Sequence, residues 1–342
     1  MRTLYGSPVA TDPARVFDDL RRVAARVRRH LEEEISGSVT ELPGDGTPAG
    51  QISRFAQEER ARVLEAGVSG LEKLAADRAD EIDEDEHFGV DAIVLLEGRP
   101  AIPVQDQDFA AQDGDWSVLE DDRAAVRASI ARVGRLEVTG HPSLDRVGTA
   151  FLVGPRTVMT TRRVAGEFSE AGDAGWSFRE GMSARVDLGV GYEVTEVIGI
   201  HPDVDLALLR VGPPDGGVLP TPLAVAADAP ADLSGRPVYM IGHPAWDGRR
   251  DEPESMRRIF MDVYDAKRLQ PGRATEFTPD RLVMRHDCST LGDSGGSPVF
   301  DLSDHRVLGL NFGGHYRSGN EAVPLWELVD DPLLERAEVN WV

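Results

Sequence analysis

Cysteine is almost absent from this chain: its 342 residues include one, Cys288. A single thiol cannot form an intrachain disulfide, and small secreted domains commonly use disulfides, whereas cytosolic proteins keep their thiols reduced. The first ten residues contain no apolar core of signal-peptide length. No stretch reaches the ~18 uncharged apolar residues that a membrane helix requires. These absences predict a cytoplasmic protein that has no membrane partner.

Positive charge is also scarce. The chain has 37 Lys and Arg residues against 60 Asp and Glu residues, which gives a formal net charge of -23. A surface of this sign repels nucleic-acid phosphate and anionic lipid, so we expect no nucleic-acid partner. Neither an HExxH motif nor a paired Cys/His spacing is present, so no metal and no cofactor is predicted. Hydrophobic residues, at 41% of the chain, are numerous enough to form a sizeable core.

Helical periodicity dominates the N-terminal part. Asp12 and Pro13 form a helix start, and apolar residues recur at helical spacing from Val16 to Leu31. The acidic run 81–86 is expected to be a solvated surface or loop. The sequence predicts four segments, namely an N-terminal helix over 1–36, a Gly/Pro/Ser-rich linker over 37–50, a helical or mixed extension over 51–133 and a β-rich domain over 134–342.

After Gly134 the chain becomes a series of short β-rich runs separated by turn residues. Such runs at this spacing favour an all-β barrel or sandwich over βαβ units. The length from Val138 onward suits a pair of small barrels. The predicted strands are Leu136–Val138, Gly148–Val153, Val158–Thr161, Val194–Ile200, Leu206–Val211, Val238–Ile241, Leu282–Arg285, Pro298–Phe300, Val307–Phe312 and Ala322–Leu325.

The sharpest motif surrounds Ser294 and reads Gly-Asp-Ser-Gly-Gly-Ser-Pro over residues 292–298. Glycines on both sides of a serine let the backbone turn tightly and direct two N–H groups at one point. A serine nucleophile needs such donors, because an oxyanion develops in its tetrahedral intermediate. The run lies between two predicted strands, which argues against a flexible linker.

This motif resembles the signature of trypsin-like (chymotrypsin-fold) serine peptidases. The resemblance implies a double β-barrel, preceded here by a mostly α-helical N-terminal extension. It assigns Ser294 as the nucleophile, and the N–H groups of Gly292 and Ser294 as the oxyanion hole. The family's order of histidine, aspartate and serine places the acid at Asp205, which opens an apolar strand 89 residues before Ser294.

The histidine of that family is replaced in this chain. Residues 148–154 read Gly-Thr-Ala-Phe-Leu-Val-Gly, similar to the strand that precedes the histidine in bacterial members. Residues 158–165 then align without gaps on the segment that usually reads T-N-x-H-V-A. Thr161 falls on the asparagine and Arg163 falls on the histidine.

The strand over residues 309–314 resembles the one that lines the specificity pocket and pairs with substrate backbone. The resemblance assigns Asn311, Phe312 and Gly313 to substrate binding and places Cys288 near the base of the pocket. Asn311 stands where glutamyl endopeptidases often have a histidine, so no glutamate preference is implied. The resemblance extends over about residues 134–328 and is closest to bacterial intracellular members with helical extensions.

Arginine cannot perform the histidine's task. A general base must titrate near the working pH, whereas a guanidinium stays protonated and has no acceptor. Beside Asp205 we expect Arg163 to form a fixed ion pair. A surrogate base would have to come from another histidine, and the candidates outside the extension are His141, His201, His243, His286, His305 and His315.

Three hypotheses follow from the sequence. The first is a catalytically impaired pseudo-peptidase that keeps Asp205 and Ser294 and binds peptides or proteins. The second is an active serine endopeptidase that uses a surrogate base. The third makes the barrels a scaffold for the helical extension, which binds a protein partner.

Overall fold

The computed structural model describes residues 17, 19–41, 48–112, 114–173, 175–212, 219–244, 266–290, 294–315 and 319–342. The chain divides into two compact units, with the boundary between Pro100 and Ala101. The first unit is helical. Its main elements are α1 (Leu20–Glu41), α2 (Pro48–Leu74) and α3 (Glu84–Ile93), the last continued by a π-helical turn over Val94–Gly98.

The predicted apolar stripe of the first helix forms part of the core of this unit. Phe17, Val23, Val27 and Leu31 are all buried against residues of α2 and α3. The predicted start at Asp12 lies outside the described residues. Helix α1 ends at Glu41, after its predicted end at residue 36, and α2 begins at Pro48. The segment between the two helices is therefore shorter than the predicted linker over 37–50.

Helices α2 and α3 approach each other most closely at two glycines. A Cβ atom on Gly67 would lie 2.3 Å from the carbonyl oxygen of Gly89, and one on Gly89 would lie 2.2 Å from the Gly67 nitrogen. Both distances are well below van der Waals contact with main-chain atoms, which cannot move aside without separating the helices. The contact therefore requires glycine at both positions.

The sequence predicts that the acidic run 81–86 is a solvated surface or loop, but one of its side chains is buried. Asp83 and Glu86 form a reciprocal capping box at the start of α3. Glu86 is buried and accepts hydrogen bonds from Lys73 Nζ at 2.6 Å and Ser69 Oγ at 2.6 Å. Because these donors stabilise the ionised carboxylate, they lower the pKa of Glu86 to about 2.

The second unit begins with a segment that packs on the barrels. It contains the strands β1 (Ile102–Gln105) and β2 (Asp108–Phe109) and the helices α4 (Val118–Asp121) and α5 (Arg123–Ile130). Its apolar side chains join the same buried cluster as residues of both barrels. The predicted division at residue 134 thus falls inside this unit, because the segment before it has no separate core.

Six strands close the first barrel in the order β10-β5-β4-β3-β8-β9. A short helix, α6 (Arg162–Gly166), and a hairpin of β6 (Ser169–Gly172) and β7 (Gly175–Phe178) lie between β5 and β8. The barrel strands are β3 (Val133–Thr139), β4 (Arg146–Gly154), β5 (Thr157–Thr160), β8 (Ser183–Asp187), β9 (Gly191–Ile200) and β10 (Ala207–Val211).

The second barrel runs β11-β14-β15-β16-β13-β12 and is closed by pairing of β11 with β12, while β1 extends the sheet from β12. A last helix, α7 (Pro332–Arg336), follows. The strands are β11 (Pro237–Gly242), β12 (Arg268–Thr278), β13 (Val283–His286), β14 (Pro298–Asp301), β15 (Val307–His315) and β16 (Gly319–Pro324). The predicted all-β double barrel with a helical N-terminal region is confirmed.

We expect Gly89→Ala to destabilise the helical unit by about 1–3 kcal/mol, the usual cost of forcing extra volume into a packed contact. Hydrogen exchange of peptides covering residues 60–98 measures this change. Gly166→Ala is the matched control, because a Cβ there meets nothing within 4 Å. Equal protection of residues 60–98 in the Gly89→Ala variant and the wild type would contradict the close contact.

The helical unit should also lose stability in acid. The pKa of Glu86 lies below the value of about 4.3 that glutamate has in an unfolded chain, so its stabilising effect is complete above about pH 5 and declines toward pH 2. Hydrogen exchange between these pH values should show a smaller decline for Glu86→Gln than for the wild type. Glu81→Gln, at an exposed position, is the control and should follow the wild-type profile.

Candidate active site

The serine loop, defined as Ser294–Ser297, joins the chain after β13 to the start of β14. Ser294 is 2% exposed, and its carbonyl oxygen accepts a hydrogen bond from the Ser297 N–H at 3.3 Å. Gly296 has φ +92°, and a Cβ atom there would lie 1.9 Å from the carbonyl oxygen of Thr149. Only glycine fits this turn. Gly292, predicted for the oxyanion hole, lies outside the described residues.

Main-chain hydrogen bonds attach the serine loop to both barrels. The N–H of Thr149, on β4, donates to the Gly295 carbonyl at 3.1 Å. On the other side, the Gly296 N–H donates to the Asn311 carbonyl at 2.9 Å, and the Asn311 N–H donates to the Ser297 carbonyl at 2.8 Å. Asn311 belongs to β15, so the loop is fixed between the first and the second barrel.

The side chain of Asn311 adds a further contact to this loop. Its Nδ2 donates to the Ser294 carbonyl at 2.9 Å, and its Oδ1 lies 3.1 Å from His286 Nε2. Since Oδ1 can only accept, His286 donates from Nε2. The sequence predicted a substrate-binding role for Asn311, but its side chain is buried against the loop, with 2% of the residue exposed.

Asp205 lies directly before β10, at the position predicted for the acid. Its Oδ1 accepts a hydrogen bond from the backbone N–H of Arg163 at 3.2 Å. This hydrogen bond uses the main chain of residue 163 and is a contact that the sequence did not predict. Asp205 therefore fixes the backbone of residue 163 whichever side chain stands there.

Two side chains that the sequence did not single out as positioning groups hold the loop before Asp205. Arg162 Nη2 donates to the carbonyl oxygens of His201 at 2.6 Å and Val204 at 2.7 Å. His201 Nδ1 accepts from the N–H groups of Asp203 and Val204, and its Nε2 lies 3.1 Å from Asp331 Oδ2. His201, one of the candidate surrogate bases, thus uses both ring nitrogens to stabilise this loop.

Arg163 stands in the first turn of α6, which Thr161 caps by accepting the Val164 N–H at 3.3 Å. Arg163 is exposed, yet its guanidinium reaches the serine loop. Its Nη2 lies 3.1 Å from the point where a Cβ atom on Gly295 would stand. The fold therefore brings Arg163, Asp205 and the loop of Ser294 to one place, as the sequence predicted.

The buried imidazoles are poorly suited to act as a general base. Burial lowers the pKa of His286 to about 4 and that of His243 to about 3. His305 Nδ1 lies 3.1 Å from the Tyr239 hydroxyl, and His141 Nδ1 accepts from the N–H groups of residues 143 and 144. A general base at neutral pH needs a pKa near that pH, which excludes His243 and His286 from this role.

The predicted pocket residues occupy different environments. Cys288 is 1% exposed and belongs to a buried cluster of the second barrel. Its carbonyl accepts a hydrogen bond from Asn320 Nδ2 at 2.6 Å. Phe312 is half-buried against the barrel core. At Gly313 a Cβ atom would meet none of the described residues within 4 Å. Among these residues, space is therefore open beside Gly313, one strand position from Phe312.

Metal-binding clusters and membrane-spanning helices are both absent from the described part of the chain. No group of three or more His, Cys, Asp or Glu side chains there could hold a metal ion. No helix among the same residues is long and apolar enough to cross a membrane.

The comparisons with known proteins agree with this geometry. Residues 148–310 match the family model of the trypsin-like peptidase domain. No curated protein matches significantly. The chain is similar to the active form of the Rv3671c protease from M. tuberculosis, with 22% identity over 70% of this chain and 91% of that chain and a TM-score of 0.45.

Two further solved structures show comparable likeness. The inactive form of the Rv3671c protease has 24% identity over 64% of this chain and 94% of that chain, with a TM-score of 0.42. The HtrA-type protease AlgW with a decapeptide has 14% identity over 64% of this chain and 68% of that chain, with a TM-score of 0.44. The family model extends from within β4 to within β15 and includes Arg163, Asp205 and Ser294. The part of the two-barrel domain that carries the candidate site is thus similar to the trypsin-like peptidase domain.

Proposed function

We propose that this protein is a pseudo-peptidase that binds peptide or protein segments in the groove of a trypsin-like domain without cleaving them efficiently. The observation that carries the proposal is the guanidinium of Arg163 beside the serine loop, where Nη2 lies 3.1 Å from the Cβ position of Gly295. The catalytic cycle of these enzymes passes the serine proton to an imidazole and then to the leaving amine. A guanidinium can do neither.

The arrangement around Arg163 supports loss of the base rather than loss of the site. Asp205 still accepts the backbone N–H of residue 163, and the serine loop keeps its contacts to Thr149 and Asn311. The two histidines with pKa values of about 3 and 4 would be neutral at physiological pH, but they are too weakly basic to accept the serine proton effectively. A chain of this kind retains the shape of a peptidase and lacks its proton carrier.

The edge of β15 supports peptide binding. Strand β14 pairs with β15 only as far as Pro298 opposite Leu310, whereas β16 follows β15 to His315. Beyond Asn311, one edge of β15 therefore has no partner strand among the described residues. An extended peptide can add to such an edge through main-chain hydrogen bonds, and the open space at Gly313 leaves room for it.

The helical unit is a second element of the proposal. We assign it a role in binding a protein partner, and we place the whole chain in the cytoplasm of a bacterial cell. The acidic composition and the one cysteine, buried as a thiol, support a reducing compartment. The resemblance to bacterial intracellular members supports the source.

We expect a fluorophosphonate probe to label wild-type Ser294 very slowly, and Arg163→His to raise the labelling rate by about 100-fold or more, the usual contribution of a general base. In-gel fluorescence over time measures the rate. Arg163→Gln is the matched control, because it removes the charge without supplying a base and should stay slow. Rapid wild-type labelling that Ser294→Ala abolishes would show an active enzyme and overturn the proposal.

The Asn311 amide should matter for serine reactivity in the Arg163→His background. Asn311→Ser removes the donor to the Ser294 carbonyl, and we expect about a tenfold slower labelling, equivalent to ~1.4 kcal/mol. Asn340→Ser is the matched control, since Asn340 Nδ2 donates to the Leu223 carbonyl at 3.1 Å. Equal rates for the two variants would mean that the amide does not position the serine.

A further inference from the structure

We infer that Asn320 determines which side chain the groove accepts beside Gly314, and that the bound peptide carries a small residue there, such as glycine, alanine or serine. This rests on the proposed function, to which it adds the chemical class of the ligand. Asn320 lies on β16, outside both the motif around Ser294 and the strand that the sequence assigned to substrate binding.

The position of Asn320 in the sheet sets the direction of its side chain. Asn320 pairs with Gly314 of β15 on one side and with His286 of β13 on the other. Directly opposite residues of neighbouring strands project from the same face of a sheet. The Asn320 side chain therefore lies on the face where the imidazole of His286 contacts the amide of Asn311.

The chain that joins β13 to β14 crosses this face. In the sheet, β16 and β15 lie between these two strands, so the connection has to pass both of them to reach the serine loop. Asn320 binds the first part of the connection: its Nδ2 donates to the Cys288 carbonyl at 2.6 Å, and its Oδ1 accepts from Thr290 Oγ1 at 2.5 Å. With 8% of the residue exposed, the amide fills the space between the sheet and residues 288–290.

The amide of Asn320 also reaches β15. A Cβ atom on Gly314 would lie 2.3 Å from Asn320 Oδ1 and 3.3 Å from its Cγ, so the amide occupies the space that a side chain at residue 314 would need. Successive residues of a strand project from opposite faces. The space beside Gly313 is thus open among the described residues, whereas the space beside Gly314 is filled.

A peptide added to the free edge of β15 brings one of its own side chains next to Gly314, on the face that Asn320 fills. The Cβ atom of that residue would lie ~5 Å from the Cβ position of Gly314, which Asn320 Oδ1 approaches to 2.3 Å. The side chain of alanine or serine ends before it reaches the amide. Leucine or phenylalanine would collide with it, and extra volume in a packed site weakens binding.

Fluorescence anisotropy with the full-length protein tests the inference. The probes are pools of fluorescein-labelled hexapeptide amides in which one position is fixed as alanine, leucine or phenylalanine and the others are random, with the fixed position moved through the whole peptide. At one position we expect the wild type to bind the alanine pool about tenfold more tightly than the leucine and phenylalanine pools.

Variants at residue 320 separate the volume of the amide from its hydrogen bonds. Asn320→Ala should reduce the preference at that position to about twofold or less, because the space beside Gly314 is then open. Asn320→Leu fills a similar volume without hydrogen-bonding groups and should keep the preference. Asn340→Ala is the matched control, since Asn340 Nδ2 donates to the Leu223 carbonyl at 3.1 Å, and it should bind as the wild type does. Thermal unfolding of each variant shows that it is folded under the conditions of the assay.

The outcomes distinguish this inference from the function on which it rests. Equal wild-type affinity for the alanine and phenylalanine pools at every position overturns the small-residue ligand and leaves peptide binding in place. A full preference in folded Asn320→Ala, or its loss in folded Asn320→Leu, overturns the exclusion of long side chains by the volume of Asn320. Failure of every pool to bind at millimolar concentration overturns the proposed peptide groove itself.

Discussion

The contact of Gly296 with the Thr149 carbonyl, which leaves no room for a Cβ atom, sets the position of the serine loop against the first barrel. Hydrogen bonds to Asn311 set its position against the second barrel. Ser294 is therefore placed by strands from both halves of the domain, and its reactivity depends on how those halves pack. This constraint excludes any residue with a Cβ atom from position 296 of the loop.

The acid and the residue at position 163 are joined in a different way. Arg162 holds the loop before Asp205 through two carbonyl oxygens, and Asp205 in turn accepts a main-chain N–H. None of these contacts uses the side chain of residue 163. The scaffold of the site is thus built without reference to the group that would perform proton transfer.

The sequence predicted the double-barrel fold where strands carry apolar alternation, and glycine spacing indicated where a serine nucleophile would lie. It did not predict β12, because Pro271 and Gly272 interrupt that strand and Arg268 and Gln270 are polar residues that the fold buries. Resemblance to the family's motifs predicted that Arg163 and Asp205 share one site, and the structure has a hydrogen bond between them.

The sequence also missed contacts that depend on three dimensions. Asn311 was assigned to the substrate, since strand position gives no information on which way a buried amide turns. The sequence also did not predict the burial of Glu86. An acidic run is typical of a solvated surface, and the sequence does not indicate that Lys73 and Ser69 pack against this carboxylate.

The main-chain hydrogen bond from residue 163 to Asp205 has a consequence for the history of the site. Two of the arginine codons, CGU and CGC, differ from histidine codons by a single base, and the hydrogen bond to Asp205 uses only main-chain atoms of residue 163. An exchange of these two residues can therefore occur in one mutational step and leave this hydrogen bond in place.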